Sequence, residues 1–130
     1  MDRDFRAQIL DFFATTPGVA AVYLFGSMAR GDDHADSDVD VAVLFDVAPP
    51  HTLHGRFALA GELERALGRP VDLIVMNDAP VDLRIRILRE GELVVDRNRA
   101  IRIASEVRTR NEYFDLEPVL TLYRSPRRRP

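Results

Sequence analysis

Gly26-Ser27-Met28-Ala29-Arg30-Gly31, followed after a short loop by Ser37-Asp38-Val39-Asp40, is the stretch on which the reading of this chain turns. A turn of small residues that exposes backbone N–H groups suits a phosphate. Two carboxylates spaced i, i+2 suit a divalent cation. Apolar runs flank the stretch, residues 20–25 before it and residues 39–45 within and after it. Each run reads as a buried strand. The pattern is therefore strand, phosphate turn, acidic loop, carboxylate-bearing strand.

The rest of the chain is read outward from this unit. Phe5, Ile9, Phe12 and Phe13 recur at i, i+4, i+7 and i+8, which predicts an amphipathic helix ending near Thr15. Pro17-Gly18 marks a turn. Thr52 is a candidate N-cap for a helix whose apolar face holds Leu53, Phe57, Ala60 and Leu67, with Gly68 as its stop. A third strand is expected over 71–76. The run Leu83-Arg84-Ile85-Arg86-Ile87 alternates like a strand, but Val81, Ile85 and Leu88 also fit a helix. Asp78 as cap, Pro80 near N1 and Gly91 as terminator favour the helix. A short strand over 92–95 and a final helix over about 96–114, capped by Asp96, complete the expectation. Residues 1–116 then form one domain, and 117–130, ending in Arg127-Arg128-Arg129, a basic tail. Strands and helices mix, so the fold class is α/β or α+β, a small mixed sheet flanked by helices.

Composition narrows the chemistry. At 130 residues the chain is long enough to bury a core, and its 46% apolar and 30% charged residues are ordinary for a globular protein. It has no cysteine, which excludes disulfides and thiolate metal sites. All 18 basic residues are arginine. Without lysine there is neither a Schiff base nor a Walker A phosphate loop. The net charge of −3 is uneven: residues 1–95 hold 9 Arg against 16 acids, and residues 96–130 hold 9 Arg against 5. Met1-Asp2-Arg3-Asp4 is not an apolar signal core, and no run reaches the length of a membrane span, so a cytoplasmic protein is expected. Direct nucleic-acid binding is disfavoured by the acidic balance.

Residues i and i+2 of a strand share a face, so Asp38 and Asp40 would converge. Asp72 opens the third strand and reaches the same point if that strand lies beside the second. Carboxylates so gathered fit Mg²⁺, which takes one or two protein carboxylates together with substrate phosphates. Gly26 allows close backbone approach, Ser27 offers a hydroxyl and an N–H at a helix start, and Arg30 can fork onto a phosphate. A calcium loop is the rival reading of Asp36, Asp38 and Asp40. It fails because its sixth and twelfth positions are Val41 and Val47, where glycine and glutamate are required. His34, His51 and His54 lack metal-ligand spacing, and Gly26 and Gly31 lack the spacing of a dinucleotide fingerprint.

Gly26-Ser27, ten residues, then Asp38-Val39-Asp40 resembles the signature of the DNA polymerase β-type nucleotidyltransferase superfamily, and the fuller string resembles its minimal (MNT) branch. Asp72 in Val71-Asp72-Leu73-Ile74 matches the third carboxylate of that family. Arg110-Asn111-Glu112-Tyr113-Phe114-Asp115, then Pro118, is similar to the end of MNT-domain antitoxins of HEPN/MNT toxin–antitoxin pairs. The resemblance implies Mg²⁺-dependent transfer of AMP from ATP to a tyrosine hydroxyl of a HEPN-domain RNase toxin, which silences it. It implies metal binding by Asp38, Asp40 and Asp72, and nucleotide binding by Gly26, Ser27 and, less directly, Arg30. The alternatives are an antitoxin acting by contact alone and a transferase with a small-molecule acceptor. A chain this short invites a partner, and the final helix, through Arg102, Tyr113 and Phe114, is the expected docking face.

Overall fold

The structure is a computed structural model and describes residues 5–31, 37–46 and 53–124. The expectations placed on His34, His51, Thr52, the acidic residues at 32, 33 and 36, and the last six residues lie outside these. The elements run α1 (Phe5–Ala14), β1 (Val19–Phe25), α2 (Ser27–Arg30), β2 (Val39–Phe45), α3 (Leu53–Leu67), β3 (Val71–Val75), a 3-10 turn (Met76–Asp78), α4 (Val81–Glu90), β4 (Glu92–Asp96) and α5 (Arg99–Arg124).

The four strands form one mixed sheet in the order β3-β2-β1-β4. β1 is antiparallel to both β2 and β4, and β2 is parallel to β3. A parallel pair needs a long crossover, which α3 provides. β1 is buried at all seven positions, as expected of a central strand covered on both faces. Alternation along the strands sorts the core into two clusters. Val22, Leu24, Val39, Val41 and Val43 pack with Phe5, Ile9 and Phe13 of α1 and Leu63 and Leu67 of α3. Ala21, Tyr23, Phe25, Ala42 and Leu44 pack on the other face with Met76 and Ile87. Asp40 shares its side of β2 with Ala42 and Leu44, two and four residues on.

The ambiguous segment at 81–90 is helical. As a helix it buries Ile85 and Ile87, and Gly91 donates its N–H to the Ile87 carbonyl at 2.8 Å to end it. Three local expectations are corrected. Pro80, not Asp78, occupies the N-cap of α4, without a side-chain cap, because Asp78 pairs with Arg56 of α3 at 2.5 Å. Asn98, not Asp96, caps α5: its Oδ1 accepts the Ile101 N–H at 3.2 Å, while Asp96 remains in β4. Phe57 does not face the core but is 69% exposed; the buried stripe of α3 is Leu63 and Leu67, with Leu59 half-buried.

α5 also outruns its expected end near Phe114 and continues through Pro118 to Arg124. A proline inside a helix removes one N–H donor. On an exposed helix end, water can satisfy the carbonyl so released, and the good helix formers Leu116, Glu117, Leu120 and Leu122 carry the helix on. No helix of the described residues is long and apolar enough to cross a membrane.

Candidate active site

β2 enters the sheet at the point where three carboxylates gather. The Val39 N–H donates to the Pro70 carbonyl at 2.9 Å, and the Arg69 guanidinium donates to the Ser37 carbonyl. These bonds lock the start of β2 beside the start of β3. The parallel register that follows pairs Val39 with Val71 and Asp40 with Asp72. Residues in register on neighbouring strands show their side chains on the same face, with backbones about 4.8 Å apart. Asp38 precedes β2 by one residue, on the same side as Asp40. Asp40 is half-buried, and Asp38 and Asp72 are exposed. Asp40 alone interrupts the buried apolar run of β2.

The small-residue turn lies against these carboxylates because of the hairpin-like register of β1 and β2. Phe25 pairs with Asp40, so the next residue, Gly26, sits directly beside the Asp40 side chain. A Cβ on Gly26 would stand 2.0 Å from Asp40 Oδ2 and 2.9 Å from its Cγ. The backbone at Gly26 is also left-handed, with φ +74°. Two independent constraints, space and backbone, therefore call for glycine here. Ser27 opens the single turn of α2, which the Arg30 N–H closes on the Gly26 carbonyl at 3.1 Å. Gly31 follows with φ +78°.

The electrostatics reflect this crowding. The Asp40 carboxyl is pushed above the usual carboxylate range, chiefly by burial and then by the charges of Asp72 and Asp38. Arg30 and Arg86 act the other way. A half-buried carboxylate facing two others is a costly arrangement for a protein without a cation, and this donor set suits a hard divalent ion. Among the described residues no three acidic or histidine groups stand close enough to enclose an ion by themselves. Mg²⁺ asks for less, one or two protein carboxylates with water and phosphate at its other positions.

Asp38, Asp40, Asp72, Gly26, Ser27 and Arg30 are thus gathered at one end of the sheet. The expected docking residues are not gathered in the same way. Arg102 is bound to Asp96 at 3.0 Å and Glu106 at 3.1 Å, and Tyr113 is buried under the Arg89 guanidinium, 4.9 Å from its ring centroid. Of the three, only Phe114, at 67% exposure, faces outward. Glu106 also accepts the Tyr23 hydroxyl at 2.8 Å, and this bond and burial hold the phenol protonated. This network anchors α5 to β1.

A family model described as polymerase beta, nucleotidyltransferase matches residues 7–100. Protein adenylyltransferase MntA of Shewanella oneidensis is 36% identical over 76 residues, 58% of this chain and 53% of that protein. The chain thus spans about half the length of that relative. Protein adenylyltransferase MntA of Thermococcus cleftensis is 37% identical over 73 residues, 56% of this chain and 72% of that protein. Among solved structures, the complex of tri-AMPylated Shewanella oneidensis HEPN toxin with MNT antitoxin gives a TM-score of 0.69 at 25% identity, over 87% of this chain and 87% of that chain.

Proposed function

The chain belongs to the polymerase beta nucleotidyltransferase family, and from that premise we propose that it is an antitoxin that transfers AMP from ATP to a tyrosine hydroxyl of a HEPN-type RNase toxin. The observation that carries the reading is the in-register pair Asp40 and Asp72, with Asp38 beside it and the Gly26-Ser27 turn packed against Asp40. The likeness to MntA adenylyltransferases and to an MNT antitoxin bound to its AMPylated toxin supports the choice of acceptor. A cytoplasmic setting, where ATP and an RNase toxin coexist, belongs to the same reading.

Asp38 and Asp40 would hold Mg²⁺, with Asp72 completing the site beside them, and the ion when bound would neutralise charge on the phosphates. The Gly26-Ser27 backbone, free of a side chain where Asp40 comes close, seats the triphosphate. Arg30 stands one turn on, within the field of the same carboxylates. In this frame the tyrosine oxygen attacks the α phosphorus in line. The bond to the β-phosphate oxygen breaks, and pyrophosphate leaves. Asp72, the exposed carboxylate on the edge strand, accepts the phenol proton. Such a reaction depends on positioning and fixed charge more than on covalent catalysis.

The partner's docking face is on α5. Ile103, Val107 and Phe114 are 41%, 49% and 67% exposed, and their i, i+4, i+11 spacing puts them on one side of the helix. An apolar stripe of this kind on a charged helix is a mark of protein contact. The direct test is to incubate the chain with Mg-ATP and the HEPN protein and to take the intact mass of the latter. Gain of one or more AMP units is the expected result. A stable complex of unchanged mass would replace the transferase with a contact antitoxin.

A further inference from the structure

We propose that Arg69, in the turn between α3 and β3, is a positioning residue of the metal site: by binding the Ser37 carbonyl it fixes the direction in which Asp38 presents its carboxylate to the cation. The inference rests on the nucleotidyltransferase reading above and deepens it, adding a residue that acts on the ion through Asp38 alone.

Asp40 and Asp72 take their places from the sheet itself, paired in register on β2 and β3. Asp38 stands one residue before β2, so the ladder does not orient it. Its backbone is oriented by the two peptide planes that flank it. The plane before Asp38 carries the Ser37 carbonyl, which accepts from the Arg69 guanidinium. The plane after it carries the Val39 N–H, which donates to the Pro70 carbonyl at 2.9 Å. Peptide planes are rigid, and only φ and ψ of Asp38 lie between these two. Tying both planes to the same short segment therefore sets both angles, and with them the Cα–Cβ direction of Asp38. One tie is main chain. The other is the Arg69 side chain, and a substitution can remove it.

The segment around Arg69 is built to hold this donor still. Gly68 closes α3, donating its N–H to the Glu64 carbonyl at 2.7 Å, and its left-handed backbone, φ +72°, turns the chain toward β3. The Glu64 side chain accepts the Val71 N–H at 3.0 Å, so the chain is tied to α3 on both sides of Arg69 and Pro70. Proline at 70 offers its carbonyl to Val39 and has no N–H of its own to satisfy. Arg69 is half-buried, and its guanidinium lies over the Phe5 ring of α1, 5.5 Å from the centroid. A guanidinium seated on a ring is restrained before it makes its hydrogen bond. α1, α3 and β3 thus bear on one donor, and that donor bears on the residue next to Asp38. Outer partners of this kind orient a metal ligand without touching the ion, and their loss costs roughly 10–100-fold in metal affinity.

Calorimetry of the non-hydrolysable analogue AMP-PNP on the intact chain, over a series of Mg²⁺ concentrations, tests this without turnover. The readout is the Mg²⁺ concentration that supports half of the binding. Arg69→Met keeps an unbranched stem on Phe5 and removes the donors, and it is expected to raise that midpoint by about tenfold. Arg69→Lys, which keeps charge and stem but not the fork, should shift it less and in the same direction, and it carries the test if the methionine variant is unstable. Repeating the change in an Asp38→Ala background separates positioning from a general loosening of the fold. There Arg69→Met should move the midpoint by less than about twofold, because the carboxylate it positions is gone. A wild-type midpoint in both single variants would overturn the inference. So would persistence of the full shift in the Asp38→Ala background, which would show that Arg69 acts on the phosphates or on the whole fold. Failure of the wild type itself to bind Mg-nucleotide would overturn the transferase reading, and this inference with it.

Discussion

Replacing Gly26 by alanine isolates the contact on which the site depends. The new methyl group would lie 2.0 Å from Asp40 Oδ2, where ordinary contact begins at 3.4 Å, so about 1.4 Å must be opened. The methyl cannot yield, because it is fixed to a backbone at φ +74°. Asp40 must move instead. A left-handed alanine costs about 1–2 kcal/mol. Forcing Asp40 off its rotamer adds roughly 0.5–1.5 kcal/mol. The total, about 1.5–3.5 kcal/mol, lowers Tm by roughly 5–14 °C in a domain of this size. The effect on transfer is larger, since a misplacement of about 1 Å at a reacting centre costs on the order of 100-fold. Gly31→Ala is the matched control: φ there is +78°, but nothing lies within 4 Å of the methyl group it would gain. It carries the backbone cost without the collision. AMP transfer to the HEPN protein, followed by intact mass over time, should therefore fall far more in Gly26→Ala than in Gly31→Ala. Equal rates in the two variants would refute the claim that Gly26 is there to make room for Asp40.

Asp38→Ala with Asp40→Ala should reduce transfer by about 100-fold or more while leaving the toxin complex intact, read by intact mass and by co-elution; loss of the complex would show that these residues hold the partner. Asp40→Asn should raise the Tm of the metal-free protein at pH 7. The folded carboxyl titrates above its unfolded value, so the fold binds more protons than the unfolded chain between those two values, and stability falls as pH rises through that window. The gap between variant and wild type should close as pH drops below the window, and Mg²⁺ should raise the Tm of the wild type only; a gap independent of pH and metal would contradict the carboxylate cluster. Phe114→Asp should weaken toxin binding by roughly 30-fold, the loss expected at an interface hot spot, without changing AMP-PNP affinity. Unaltered binding would remove α5 from the interface.

What was legible in the sequence followed from local periodicity, and what was missed followed from contacts made at a distance. The i, i+2 spacing of Asp38 and Asp40 puts them on one side of a strand whatever the rest of the fold does. That Asp72 joins them depends on β3 lying parallel to β2 in a register set by Val39 and Pro70. Spacing alone states that only as a condition. The role of Gly26 was visible as backbone freedom, but its stronger constraint, the Asp40 side chain, comes from the register of β1 on β2. Caps were misassigned for a related reason. Asp78 and Asp96 have the right chemistry to cap, but each has a better use, in ion pairs with Arg56 and Arg102. Nothing within a few residues announces those partners. The run 83–87 shows the cost most clearly. Read as a strand, it puts Arg84 and Arg86 on one face with one fate. As the helix it is, it sends Arg84 into α5 and leaves Arg86 exposed. The sequence favours the helix, yet nothing in the run announces that Thr109 and Glu112 receive Arg84. A signature search fixes the residues that bind through backbone and carboxylate. It passes over pairings such as Arg84 with Thr109 and Glu112, which only the packing of α4 on α5 creates.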